Sequence, residues 1–349
     1  MTATLAPLRV VQWATGNIGA RSLRAVIEHP RLELVGVRVY GPEKVGRDAG
    51  ELCGIAPVGL LATDDIEQVL AAGADCVLYM PRACDLDDVC RLLAAGLDVV
   101  TTRGEFHRPA SLAPEVRERV EAACRAGGTS IHSTGSSPGF ITEALPLVLL
   151  SLERRLDHLV IDEFADLSRR RSPELLFGIM GFGREPSHFD ERRLGHLRDA
   201  FGPSLQVLAD AVGLPLDSIE ATGEFATTPR RIEIAAGVIE PGTVAGQRIT
   251  VSGLHAGREL VCFRANWCCS TDLDAEWALT STGWRVVVEG DVPMDVAVRF
   301  EVPLERMAET SPGFTAHRAV NAVHAVHAAE PGIRTSVDLP PILPNLEPT

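Results

Sequence analysis

The sequence predicts an α/β chain: an N-terminal doubly wound parallel sheet, then a C-terminal α+β domain with a largely antiparallel sheet. Three observations predict it. Over residues 1–135, apolar β-branched runs alternate with segments of helical spacing, as in a parallel sheet covered on both faces. Past residue 136 the runs alternate apolar with polar and are joined by turns, as in antiparallel strands. The 349 residues also exceed what one core usually serves.

The elements follow in order. "LRVVQWA" (8–14) is apolar enough for a strand buried on both faces, and residues 18–28 have helical spacing. "LELVGVRV" (32–39), "CVLYM" (76–80), "DVVTT" (98–102) and "TSIHSTG" (129–135) supply further strands, the last closing the set. "LDDVCRLLAAG" (86–96) is an amphipathic helix ended by Gly96. Ser111 is placed to cap a helix over 112–127, with Pro114 in its first turn. Residues 136–312 form the second domain, with strands in 158–168, 230–239, 246–268 and 284–302 and helices over 173–183 and 191–213. The tail is helical over 313–333, and residues 313–345 are expected to pack back on the first domain.

Composition narrows the function. A net charge of −14 with no basic run argues against nucleic acid and anionic membrane. No apolar stretch reaches the roughly 18 residues of a spanning helix, and "MTATLAPLRVVQW" lacks a signal peptide's basic start. None of the eight cysteines forms C-x-x-C, so reduced thiols in a cytoplasm are expected. His317, His324 and His327 lie on one helix, but no carboxylate or cysteine partners them in the sequence, so no metal is expected. Cys268 and Cys269 read as buried packing.

"VVQWATGNIGARSLRAV" (10–26) carries the first chemistry. A strand, a tight turn and a helix start make a phosphate cradle, because backbone N–H groups point outward at a helix N-terminus. The glycine pattern is W-x-x-G-x-x-G, with Gly16 and Gly19 present and Trp13 standing where the usual fingerprint begins with glycine. Thr15, Gly16, Asn17, Ile18 and Gly19 are therefore the expected pyrophosphate turn of a Rossmann dinucleotide-binding domain. The second strand ends in Tyr40 rather than an acid, and Lys44 and Arg47 follow, which favours NADP(H) while allowing NAD(H). Glu43 in the same loop weighs against this. Met80, Pro81 and Thr102, at carboxyl ends of strands, complete the cofactor-binding set with Ser137 and Asn321.

Several stretches together carry a resemblance. "VVQWATGNIG", "GPEKVGRDAGELCG", "VVTTRGEFHRP", "HSTGSSPGFITEALPL" and "AVNAVHAVHAAEPGI" make the chain similar, over nearly its whole length, to the native amine dehydrogenases and 2,4-diaminopentanoate dehydrogenase. Mycobacterial-type members often carry the label dihydrodipicolinate reductase. The resemblance implies an NAD(P)-dependent homodimer that interconverts an amine with a carbonyl compound plus ammonia. True dihydrodipicolinate reductases carry H-H-x-x-K-x-D-A-P-S-G-T, and this chain has no such stretch.

Reductive amination needs neutral ammonia, water loss from a carbinolamine and hydride delivery to an iminium carbon, and a carboxylate assists all three. Glu105 follows the strand ending at Thr102 and matches the catalytic glutamate that the resemblance implies. The alternative is a solvated glutamate paired with Arg103 or Arg108. Ser137 stands where many relatives have asparagine before proline. Phe140, Phe164, Leu176, Phe177, Met180 and Phe182 are candidates for an apolar substrate pocket or for core packing. Asp162, Glu163 and Asp166 lie on an alternating strand, solvated or holding a second amine. Two other functions remain: NADPH-dependent reduction of a preformed C=N or C=C bond, and a sensor that binds cofactor without chemistry.

Overall fold

A computed structural model describes residues 6–345. The chain divides into two compact units, one running to Phe140 and resuming at Ser311, the other Ile141–Thr310.

The first unit is built on strands β1 (Leu8–Trp13), β2 (Leu32–Arg38), β3 (Cys76–Tyr79), β4 (Asp98–Thr101) and β5 (Ser130–Ser133). A further C-terminal strand, Gly332–Arg334, pairs in parallel with β5, and the sheet order is C-terminal strand–β5–β4–β3–β1–β2. The 129–135 run is thus not the last strand of the sheet. The edge beyond it is taken by a segment of the tail, which the sequence reads as helix. Three residues of strand are too few to show a period.

Helices Asn17–Ile27, Leu86–Ala94 and Pro114–Gly127 connect the strands. Ser111 does not cap the last of these. It closes a separate turn, Pro109–Ser111, and Ala113 occupies the cap without a side-chain bond, while Pro114 sets the first turn. The tail helix is Leu304–His327, longer at its start than the 313–333 pattern suggests because Pro312 lies within it. Its Ala319, Val320, Ala322, Val323 and Val326 are buried against Val10, Leu78 and Val100.

The second unit holds β6 (Leu156–Asp166), β7 (Ser218–Thr227), β8 (Ile232–Ile234), β9 (Gly237–Ile239), β10 (Val244–His255), β11 (Arg258–Cys268), β12 (Gly283–Gly290) and β13 (Met294–Arg299). Its main sheet runs β13–β12–β6–β11–β10–β7, and β8 and β9 form a separate hairpin where the sequence suggests one strand over 230–239. The sheet is mixed, since β6 and β11 are parallel and the other neighbours antiparallel. On one face Ile161, Val251, Phe263 and Val286 are buried, and the helix Glu191–Ala211 covers it, Phe201 stacking on Phe263 at 4.3 Å. The opposite face is polar. Asp162 there takes a bidentate bond from Arg264 at 2.8 and 2.9 Å.

Candidate active site

The turn after β1 shows how this chain manages without its first glycine. The residue two before Gly16 is Ala14, not Trp13, and it adopts the left-handed φ of +72° that a glycine would take at no cost. For alanine that conformation costs roughly 1–2 kcal/mol. Gln12, fully buried, donates from Nε2 to the Ala14 carbonyl at 2.9 Å and offsets part of it. Trp13 serves the core instead: it is buried against Tyr79, and its indole N–H donates to the Tyr40 hydroxyl at 2.9 Å.

Gly16 and Gly19 do different work. A β-carbon on Gly19 would lie 2.1 Å from the Ala14 carbonyl oxygen, so only glycine lets the helix sit on the strand. A β-carbon on Gly16 would meet nothing within 4 Å. Gly16 opens the helix Asn17–Ile27 without a side-chain cap, leaving its first N–H groups to an outside acceptor. Asn17 accepts from Arg21, and Ile18 is half-buried.

Basic groups flank the turn. Lys44 reaches Thr15, its ammonium donating to the carbonyl at 3.1 Å and to the hydroxyl at 3.3 Å. Arg47 is exposed, and its Nε lies 3.9 Å from Glu51 Oε2. Arg38, the last residue of β2, stands outside the set that the sequence predicts. Its guanidinium lies over the Tyr40 ring at 4.0 Å and the Trp13 ring at 4.9 Å, with Nε and Nη1 buried and unpartnered. Its place at the strand terminus, where a ribose-binding acid is expected, is the signal that could have found it.

Further strand ends supply the rest. Met80 and Pro81 are buried after β3, and Thr101 donates to the Tyr79 carbonyl at 2.7 Å, tying β4 to β3. Thr102 is half-buried. Gly104–Phe106 then makes one tight helical turn, anchored by the fully buried Phe106. That turn presents Glu105. Arg103 donates to Glu105 Oε1 at 2.5 Å and to the Arg82 carbonyl at 2.7 Å, while Glu105 Oε2 is buried without a partner. The pairing with Arg103 holds, but the carboxylate is not a freely solvated one. Cys84 lies beside it, its thiol pushed up to about 12 by burial first and the Glu105 charge second.

The turn after β5 is tied to the tail helix. Ser136 and Thr315 share a hydroxyl–hydroxyl bond of 2.8 Å, and a β-carbon on Gly135 would lie 3.2 Å from Thr315 Cγ2. Thr315, rather than Asn321, is the tail residue bonded here, and Asn321 is half-buried further along the helix. Ser137 Oγ and Thr134 Oγ1 are buried and unpartnered, and Gly139 has a φ of +120° that only glycine takes freely. On the same helix His327 bonds Asp98 at 2.8 Å, a carboxylate partner that the sequence reading did not see because it is 229 residues away.

The apolar candidates divide between the units. Phe140 belongs to the first, with Arg318 5.9 Å over its ring. Leu176, Met180 and Phe182 pack with Leu167, Ile239, Val244 and Cys269 in a core cluster of the second, and Phe177 packs at its margin. Phe164 is buried on β6. The three candidate carboxylates of that strand, Asp162, Glu163 and Asp166, already have protein donors. Asp162 takes Arg264, Glu163 takes the indoles of Trp267 and Trp284 at 3.2 Å each, and Asp166 takes the Ser168 amide. None is a simple solvated strand residue.

Residues 10–100 match the dihydrodipicolinate reductase N-terminus family and residues 186–346 the 2,4-diaminopentanoate dehydrogenase C-terminal domain family. An amine dehydrogenase of Streptomyces virginiae is 30% identical over 95% of this chain and 96% of its own. A 2,4-diaminopentanoate dehydrogenase of Acetoanaerobium sticklandii is 22% identical over 95% and 93%. An amine dehydrogenase structure from Mycobacterium smegmatis shares the fold, with a TM-score of 0.74 at 18% identity over 97% and 98% of the two chains.

Proposed function

This chain belongs to the amine dehydrogenase family and is an NAD(P)-dependent oxidoreductase acting on CH–NH2 donors, and from that premise we propose that it aminates small apolar ketones and aldehydes reductively with ammonia, using NADP(H) by preference. The observation that carries the reading is Glu105: a carboxylate at a strand's carboxyl end, one oxygen fixed by Arg103 and the other buried and unpartnered.

The residues present fit a dinucleotide. Gly16 leaves open space where a side chain would stand, the helix behind it is uncapped, and Arg38 keeps two buried guanidinium nitrogens without partners. Thr15 to Gly19 would hold the pyrophosphate; Arg38, Tyr40 and Lys44 the adenosine end with its 2′-phosphate; Met80, Pro81, Thr102 and Ser137 the nicotinamide end. The bound nicotinamide supplies the hydride.

This chain's own residues manage protons and charge. Glu105 takes a proton from ammonium to free the nucleophile, then returns protons as the carbinolamine loses water. It finally faces the iminium cation. A charge pair at about 4 Å contributes on the order of 4 kcal/mol at an effective dielectric near 20, enough for roughly a thousandfold in rate if it acts on the transition state alone. Arg103 keeps the carboxylate in one orientation.

A homodimer and a cytoplasmic setting belong to the same proposal. Free thiols at all eight cysteines fit a reducing compartment, and no described helix is long and apolar enough to cross a membrane. The test is NADPH consumption with a carbonyl panel, with and without ammonia. Ammonia-dependent turnover, abolished in Glu105→Gln with cofactor binding intact, is expected. Turnover without ammonia would make the protein a reductase of a preformed double bond.

A further inference from the structure

Two neighbouring strands of the second unit bring a histidine, a glutamate and a cysteine together on the polar face of its sheet. His158 lies on β6, and Glu259 and Cys262 lie on β11, which runs parallel to it. His158 Nε2 is 2.9 Å from Glu259 Oε1, and one ligand atom from each of the three residues lies within 4.8 Å of the others. Among the described residues no other three histidine, cysteine or carboxylate side chains are gathered so closely.

The surroundings are those of a ligand set. The Ser252 hydroxyl donates to the second oxygen of Glu259. Glu289 Oε2 lies 3.7 Å from His158 Nδ1, the ring nitrogen facing away from the cluster. A carboxylate behind a histidine is how metal sites fix the tautomer and orient the ring. Cys262 is buried, whereas His158 and Glu259 side chains are 24% and 34% exposed, so an ion can enter from solvent and keep a water.

We propose that His158, Glu259 and Cys262 form a binding site for a divalent transition metal of the zinc type, with water as the fourth ligand. Imidazole, carboxylate and thiolate together suit zinc and its neighbours, whereas magnesium and calcium require oxygen donors throughout. Tetrahedral zinc, with bonds of about 2.0–2.3 Å, holds its donors roughly 3.3–3.8 Å apart, so the cluster closes by side-chain adjustments of about 1 Å. On binding, Cys262 gives its thiol proton to solvent. His158 carries its own proton on Nδ1, toward Glu289, and lends Nε2 to the metal. The ion then clips together two strands whose ligands are 101 residues apart in the chain, and so stabilises the second unit.

The test uses the full chain, freed of metal with a chelator and titrated with cobalt(II) as an optical probe. A stoichiometry of one, a sulfur-to-cobalt absorption in the near ultraviolet and the visible bands of a tetrahedral site are expected. Zinc should then raise the melting temperature. Cys262→Ser and His158→Gln lose the absorption and the zinc-dependent shift, whereas Cys53→Ser keeps both. Glu289→Gln weakens binding about tenfold. Circular dichroism checks each variant's fold, and Glu259→Gln carries the test if Cys262→Ser does not fold. No sulfur-to-cobalt absorption in the unaltered chain, or its survival in Cys262→Ser, overturns the site.

Discussion

Arg103 and Glu105 form a pair in which only one carboxylate oxygen is engaged: Nη2 donates to Oε1 at 2.5 Å and Oε2 is buried with no partner. Arg103 is itself fixed through the Arg82 carbonyl, so the pair is braced from behind. Arg103 is then a positioning residue. Arg103→Met is expected to lower kcat at least tenfold, part of the roughly 10²–10⁴ that a placed acid–base group contributes. Cofactor affinity changes little and Arg103→Lys recovers part of the rate. Steady-state kinetics beside fluorescence titration of NADPH checks this. Equal losses in rate and cofactor binding would place Arg103 in the cofactor site instead.

The two glycines of the turn separate stability from binding. Gly19→Ala forces a β-carbon into the Ala14 carbonyl oxygen, a backbone atom that cannot swing away. It should destabilise the fold by about 3 kcal/mol, the upper end for overpacking. Gly16→Ala adds its methyl to open space. Its melting temperature is expected to stay near that of the unaltered chain while cofactor affinity falls. Thermal melts of the cofactor-free proteins and dinucleotide titrations distinguish the two effects.

What was legible in the sequence follows from the range of each interaction. β3 and β4 are buried throughout and β1 over its last four residues, and the short apolar runs at their centres announce them locally, as Gly19 is announced by its spacing from the strand. The edge strand Gly332–Arg334 exists only because β5 offers an unpaired edge some 200 residues earlier, and no local pattern encodes that. Glu105 stands out as a candidate through its place after a strand end together with the resemblance, and its pairing with Arg103 is one of the alternatives the sequence left open. Arg38 is not legible because the apolar pattern continues to Val39 and puts the strand's end, and with it the expected ribose contact, at Tyr40. The structure ends β2 one residue sooner and stacks the two side chains. Asp98 and His327, or His158 and Glu259, meet only through tertiary pairing and leave no spacing to find.

Acidification should act through His29 and His324. Their rings lie 6.1 Å apart, and burial first, then neighbouring positive charge, holds both below their ordinary value of 6.5. Below about 6.5 the unfolded chain therefore binds more protons than the folded one, and stability falls with pH until the folded histidines also titrate. His324→Gln removes one of these groups and relieves the other. Melting temperatures from pH 7.5 down to about 5 are expected to fall less steeply in this variant. An unchanged slope would show that the pair does not contribute to the acid sensitivity.

Cofactor choice is expected to depend on Arg38. Its guanidinium is stacked on Tyr40 and Trp13, which fixes its plane, and Nε and Nη1 have no protein acceptor although both are buried. Leaving such donors unsatisfied costs free energy that a phosphate would recover, because a hydrogen bond to a charged group contributes about 1.5–3 kcal/mol. Lys44 is already engaged with Thr15, so it offers a point charge near the turn rather than a planar fork. Arg38→Ala is therefore expected to weaken NADPH binding by roughly 10- to 150-fold, the equivalent of that energy, and to leave NADH affinity within about threefold. Arg38→Lys should not restore NADPH affinity, since an ammonium lacks the fork and the stacking face. Isothermal titration with both dinucleotides measures the two affinities separately. Equal weakening of both would move Arg38 from 2′-phosphate recognition to adenine stacking, and the preference for NADP(H) would then need another source.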